Sequence, residues 1–161
     1  MRTPAVLLLV SANALAAGTH CTATETAAFS CSLRDGKVVS VCLAKSSGAQ
    51  PSALSYRFGR LGAPEFVFPD SPAGSLGRFR YAHYVRYQVD RTELGFSNGR
   101  AEYSVFDYYE GEGRPRYSRG VRVSLDGKDR ERLCTGKVVS NLVPLESAVP
   151  CDSENALASC K

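Results

Sequence analysis

Apolar and polar residues alternate along most of this chain with a period of two rather than 3.6, the signature of strands that bury one face. Leu54-Ser55-Tyr56-Arg57-Phe58 alternates and stops at Gly59, and Glu65-Phe66-Val67-Phe68 stops at Pro69. Gly120 to Leu125 alternates ahead of Asp126-Gly127, and Arg132 to Val139 reads as another strand. The longest run is Gly77 to Asp90. In it Phe79, Tyr81, His83, Val85, Tyr87 and Val89 share one face, and Arg78, Arg80, Ala82, Tyr84, Arg86 and Gln88 share the other. This pattern predicts one long strand with the first set buried and the second wet.

Turn chemistry sets the register between neighbours. Arg34-Asp35-Gly36 suits a three-residue hairpin with Gly36 in the left-handed region. It places Ala27, Phe29 and Cys31 opposite Leu43, Val41 and Val39 on one buried face, and leaves Cys42 on the other. Asn98-Gly99, as the centre of a type I′ turn, sets Phe96 opposite Ala101, Leu94 opposite Tyr103 and Thr92 opposite Val105. The same face continues to Asp107 and Tyr109. A long loop is expected from Tyr108 to Tyr117, carrying Glu110, Glu112, Arg114 and Arg116. Ser153 to Ser159 suits a single helical turn capped by Ser153. About eight strands at this spacing predict an all-β, antiparallel meander, rolled into a barrel or folded as a sandwich. No βαβ alternation is present, which argues against a doubly wound nucleotide-binding fold.

The first 16 residues change the picture. Arg2, the apolar run Ala5 to Val10 and the small residues ending in Ala14-Leu15-Ala16 have the layout of a secretory leader. Residues 17–161 are then a single β domain with a cysteine-containing C-terminal tail. His20 falls at its frayed start. The residues ahead of Cys21 do not form a lipoprotein signal, so no membrane anchor is expected after cleavage.

In an exported chain, Cys21, Cys31, Cys42, Cys134, Cys151 and Cys160 read as disulfides. Close C-x-x-C pairs for zinc are lacking. The hairpin register disfavours Cys31–Cys42. Cys151 and Cys160 bracket a short polar tail and suit a local bridge, and Cys134 is expected to reach the N-terminal region through Cys42. The net charge of +4 is too small to call for nucleic acid.

Candidate chemistry is thin. His83 lies mid-strand on the apolar face, and no Gly-x-Ser-x-Gly elbow accompanies it. Asp107, Glu110 and Glu112 lack the ligand spacing of a calcium loop. No metal or cofactor is called for. Two surfaces suit binding: the Arg78, Arg80, Tyr84, Arg86 face, and the loop from Tyr108. Tyrosine and arginine are favoured at interface hot spots.

Several short stretches carry a resemblance: Glu25-Thr26-Ala27-Ala28-Phe29-Ser30-Cys31, Gly36 to Cys42, Tyr56-Arg57-Phe58-Gly59, Pro64 to Pro69, Phe96-Ser97-Asn98-Gly99 and Gly120 to Val123. In this order they resemble a family of small exported bacterial proteins with no assigned activity. The resemblance implies a periplasmic or secreted protein and carries no catalytic residue to transfer. Cys151 and Cys160 lie outside the family pattern.

The expectation is an exported, non-catalytic binding or inhibitory module of the bacterial envelope, with an envelope or extracellular protein as partner. The alternative is a small-ligand carrier whose barrel interior is lined by Tyr81, His83, Tyr87 and Tyr103. An enzyme built on Asp107 and His83 ranks third.

Overall fold

The structure, a computed structural model, describes residues 18–46, 48, 51–158 and 160; the expected leader lies outside them. The strands are β1 (Glu25–Leu33), β2 (Lys37–Ala44), β3 (Ala53–Arg60), β4 (Ala63–Phe68), β5 (Arg80–Arg86), β6 (Val89–Asn98), β7 (Ala101–Glu110), β8 (Arg116–Leu125) and β9 (Lys128–Ser140). They form one antiparallel sheet in the order β4-β3-β2-β1-β9-β8-β7-β6-β5. Strand β9 joins the two halves. Its first part, to Leu133, pairs with β8 and its last, from Cys134, with β1, and Gly136, with φ of 68°, lies where the pairing with β1 is interrupted.

The sheet is rolled but not closed. Strand direction alternates along the order, so the two end strands, β4 and β5, run the same way. A hairpin cannot join them, and residues 69–79 make the connection through a short 3-10 helix, Ser75–Arg78. Leu54 N–H donates to the buried Ser75 Oγ at 2.9 Å, which fixes this connection against β3. The free edge of β5 is met by the C-terminal tail. Tyr81 N–H donates to the Pro150 carbonyl at 2.9 Å and Asp152 N–H to the Tyr81 carbonyl at 2.8 Å.

Alternation fills the interior. Phe96 lies against the rings of Phe68, Tyr103, Tyr56 and Phe79, with centroids 4.2, 4.9, 5.1 and 5.4 Å away. These contacts press β3 and β4 onto β6 and β7 across the roll. Leu142, Leu145 and Val149, around a second 3-10 helix, Val143–Ser147, add to the same core. Gly120 is required by close approach, since a Cβ there would stand 2.2 Å from the Arg132 carbonyl oxygen.

Four expectations are corrected. The run Gly77 to Asp90 is a 3-10 turn followed by two strands: β5 ends at Arg86, and Tyr87-Gln88 turns the chain with Gln88 at φ 58°. Neither residue announces a turn, and alternation passes through them. The Asn98-Gly99 hairpin turns at Gly99-Arg100, so Phe96 faces Tyr103 and Leu94 faces Val105. Glycine occupies the first turn position, as in a type II′ turn; the shift of two preserves every face. In the first hairpin, Phe29 and Cys31 face Val41 and Val39 as expected, but a bulge at Ala28 sets Ala27 opposite Cys42 rather than Leu43. The expected loop from Tyr108 to Tyr117 shrinks to residues 111–115, because β7 and β8 pair through Glu110 and Arg116.

The bridges are Cys21–Cys42, Cys31–Cys134 and Cys151–Cys160. The local tail bridge agrees with the sequence expectation, and Cys31–Cys42 is avoided. Cys134 pairs with Cys31, not Cys42, because β9 lies beside β1 and both side chains face inward. Cys42 faces outward, where Cys21 reaches it.

That outer bridge ties down residues 18–22, so His20 is held rather than frayed. His20 N–H donates to Ser40 Oγ at 3.0 Å, and Ser30 Oγ donates to the Gly18 carbonyl at 2.9 Å. Arg57 donates from both terminal nitrogens to Glu25, each at 2.7 Å, and to the His20 carbonyl at 2.8 Å. Burial raises the Glu25 carboxyl, but hydrogen bonds from Arg57 and the Thr22 N–H outweigh it and leave its pKa lowered from 4.5. A lowered folded value means the stabilisation is complete above the unfolded pKa and is lost as pH falls through the folded one. The melting temperature of Glu25→Gln is therefore expected below wild type at neutral pH, with the gap narrowing below about pH 4.5. A gap that widens on acidification contradicts this assignment.

Candidate functional site

The inner face of β5 to β8 changes character along its strands. One cross-strand row is apolar: Tyr81, Leu94, Val105 and Val121. The next is His83, Thr92, Asp107 and Arg119, and the one beyond is Val85, Asp90, Tyr109 and Tyr117. A filled core thus gives way, at the end holding the β5–β6 turn and the β7–β8 loop, to a polar mouth. A cavity of about 220 Å³ lies there, lined by Asp90, Thr92, Asp107, Tyr109, Tyr117 and residues 140–143. Tyr81 lies in the row beneath, and its hydroxyl donates to the carbonyl of the lining residue Val143 at 3.4 Å. Burial pushes its phenol up to about 12, a hydrogen bond with Thr92 pulling the other way.

His83 is oriented by acids on both sides. Its Nε2 lies 2.9 Å from Asp90 Oδ1 and its Nδ1 3.8 Å from Glu146 Oε2. A ring whose two nitrogens both address carboxylates is poorly placed to take a proton from a third group. Asp107 receives a hydrogen bond from Arg119 Nε at 2.7 Å. The three acids of the expected loop region are not brought together. Asp107 pairs with Arg119, Glu110 with Arg91 and Glu112 with Arg86.

Around the mouth runs an exposed rim. Gly111 N–H donates to the Gln88 carbonyl at 2.6 Å, which joins the β7–β8 loop to the β5–β6 turn. Arg86 Nη1 donates to Glu112 at 2.6 Å across the same junction. The hydrogen bond with Arg86 lowers the Glu112 pKa. Exposed large side chains gather here: Tyr84 at 37%, Val85 at 61%, Tyr87 at 83% and Tyr117 at 61%. Arg114 and Arg116 are exposed beside them and form no ion pair with a described residue. Tyr84, Arg91 and Tyr108 form one outer cross-strand row, with the Arg91 guanidinium 5.7 Å from the Tyr108 ring centroid.

The residues expected on two surfaces are therefore redistributed. Tyr84, Arg86, Glu112, Arg114 and Arg116 meet on the rim. Arg78 and Arg80 lie at the opposite end of β5. Arg80 donates to the carbonyls of Gly77 and Phe79, each at 2.9 Å, and Arg78 stands 5.4 Å from the Phe68 ring centroid. There they border an open groove of about 950 Å³ beside the C-terminal tail. Tyr108 belongs to a structural knot. With Arg122 and Asn155 it donates to Glu93, which is 6% exposed. The four residues expected to line a carrier interior are also separated. Tyr87 sits in an exposed turn, Tyr103 is stacked in the aromatic core, and His83 connects to the mouth through its contact with Asp90, one row above Tyr81.

Sequence reasoning missed Val85 and Tyr87 as exposed residues, because their side chains follow the alternation and only the strand end and turn leave them uncovered. Tyr117, expected at the end of the loop, is exposed but belongs to β8. Sequence reasoning missed Glu93 as well, since nothing local shows that the tail returns to the β5–β8 face.

Among the described residues no helix is long and apolar enough to cross a membrane. No protein-family model matches the chain, and neither a curated protein nor a solved structure does.

Proposed function

We propose that this chain is an exported, non-catalytic binding or inhibitory module of the bacterial envelope, and that it engages a folded protein partner through the rim. The observation that carries the reading is the gathering of exposed Tyr84, Val85, Tyr87 and Tyr117 with Arg86, Arg114 and Arg116 on a cross-linked scaffold. Tyrosine buries much area for little side-chain entropy, and tyrosine and arginine are both enriched at hot spots. Exposed contiguous apolar area on a rigid scaffold marks interaction sites. Arg114 and Arg116, with no acidic partner in the described chain, favour an acidic partner surface.

Export is supported by three disulfides, which persist in oxidising compartments. The non-catalytic reading is supported by His83, whose nitrogens both address carboxylates. The aromatic filling of the interior favours a binder over a carrier of bulky ligands.

The test is capture of a partner from native envelope extract by the mature, oxidised protein. Truncating Tyr84, Arg86 and Tyr87 to alanine is expected to reduce capture at least about tenfold, as loss of one or two hot spots does. The melting temperature should stay unchanged. Arg78→Ala with Arg80→Ala is expected to leave capture intact. Equal capture by the triple variant and wild type overturns the rim as the binding surface.

A further inference from the structure

We propose that the cavity beneath the rim is a binding site for one neutral polyhydroxylated ring of monosaccharide size. The cavity shares Tyr117 with the rim and is otherwise lined by residues the protein-binding reading does not use, so the proposal does not rest on that reading.

Three features select the ligand. The first is unused acceptor capacity. A carboxylate offers two oxygens and about four lone-pair sites. Asp90 engages His83 through Oδ1, and Asp107 engages Arg119 through Oδ1. Neither second oxygen takes a hydrogen bond from a described side chain, and Asp90 and Asp107 both line the cavity. Asn141 adds an amide at the wall. Such a set suits adjacent hydroxyl donors.

The second feature is charge. An anion meets two carboxylates. Arg119, behind the lining, neutralises Asp107 and stands over Tyr117 with its guanidinium carbon 4.0 Å from the ring centroid, which weakens the pull of the site on a cation. An uncharged hydroxyl meets neither penalty.

The third is shape. The rings of Tyr109 and Tyr117 lie 5.0 Å apart at 45°, and with Leu142 and Val143 they give the cavity apolar surface for the C–H face of a sugar ring. Its volume of about 220 Å³ falls below the range of roughly 300–1,000 Å³ typical of drug-sized ligands. One ring fits that scale better than a chain of several. Tyr117 is 61% exposed, so the site is reachable from solvent.

The experiment is saturation-transfer NMR on the oxidised protein with D-glucose, D-galactose, D-mannose and N-acetyl-D-glucosamine, followed by titration of the strongest binder. Tetramethylammonium and acetate serve as charged probes. At least one sugar is expected to receive saturation from the protein. Asp90→Asn, at a half-exposed position that tolerates the change, is expected to weaken its affinity about tenfold, the loss of one charge-assisted hydrogen bond. Tyr117→Leu is expected to weaken it similarly. No transfer to any of the four sugars, affinity unchanged in both variants, or transfer to a charged probe alone overturns the proposal.

Discussion

Replacing Cys31 and Cys134 together by alanine is expected to destabilise the protein more than opening either other bridge. The cross-link joins residues 103 apart, against 21 for Cys21–Cys42 and 9 for Cys151–Cys160. Loop-closure entropy in the unfolded chain then gives losses of about 4.7, 3.3 and 2.6 kcal/mol in that order. Two structural facts enlarge the first figure. Cys31 is fully buried and Cys134 packs against the same core, so alanine also leaves unfilled space. The bridge also clasps β1 to β9, the junction between the two halves of the sheet. A loss of this size is comparable to the whole stability of a marginal domain. Urea denaturation of the three double-alanine variants checks the order. A Cys31/Cys134 variant no weaker than the Cys151/Cys160 variant contradicts the clasp.

The second large effect is expected at Phe96. It is 3% exposed and packs against the rings of Tyr56, Phe68, Phe79 and Tyr103, from four other parts of the chain. Phe96→Ala is expected to cost about 3–5 kcal/mol, through lost transfer energy and a cavity the surrounding rings cannot fill. Aromatic pairing adds about 0.5–1.5 kcal/mol per contact beyond area. Phe96→Leu, which keeps most of the volume, should cost far less. The position also has a local signature. No backbone ladder spans the gap between β4 and β5; Phe68 on β4 and Phe79 ahead of β5 meet across it at 5.5 Å, and Phe96 packs against both rings and holds that contact in place. Amide exchange in β4 should therefore accelerate in Phe96→Ala by more than in β1 or β2. A cost under about 1 kcal/mol, or uniform acceleration, contradicts that role.

What the sequence made legible follows from which forces act locally. Alternation exposes strands directly, so the all-β class and most strand identities are readable. Gly36, Gly99 and Asp126-Gly127 mark turns by backbone necessity, with φ of 77°, 64°, 50° and 73°. Tyr87-Gln88 carries no such mark. The turn is imposed by pairing of β5 with β6, so the rim it creates was hidden inside an apparently continuous strand. Disulfide partners depend on which strands become neighbours over 103 residues, and a hairpin argument cannot reach that far. The bulge at Ala28 was invisible for the same reason: it accommodates Asn141, whose N–H donates to the Ala28 carbonyl at 2.7 Å. Candidate binding residues were partly legible. Tyr84, Arg86, Arg114, Arg116 and Tyr117 are picked out by type and place, but only tertiary structure separates them from Arg78 and Arg80 and adds Val85 and Tyr87.

The rim is tested most directly by amide hydrogen exchange of the oxidised protein, alone and with its captured partner. Slowed exchange confined to residues 84–91 and 111–117 is the expected result, with residues 69–79 and 128–137 unchanged. Protection centred instead on Arg78, Arg80 and the groove by the C-terminal tail would contradict the assignment of the binding surface.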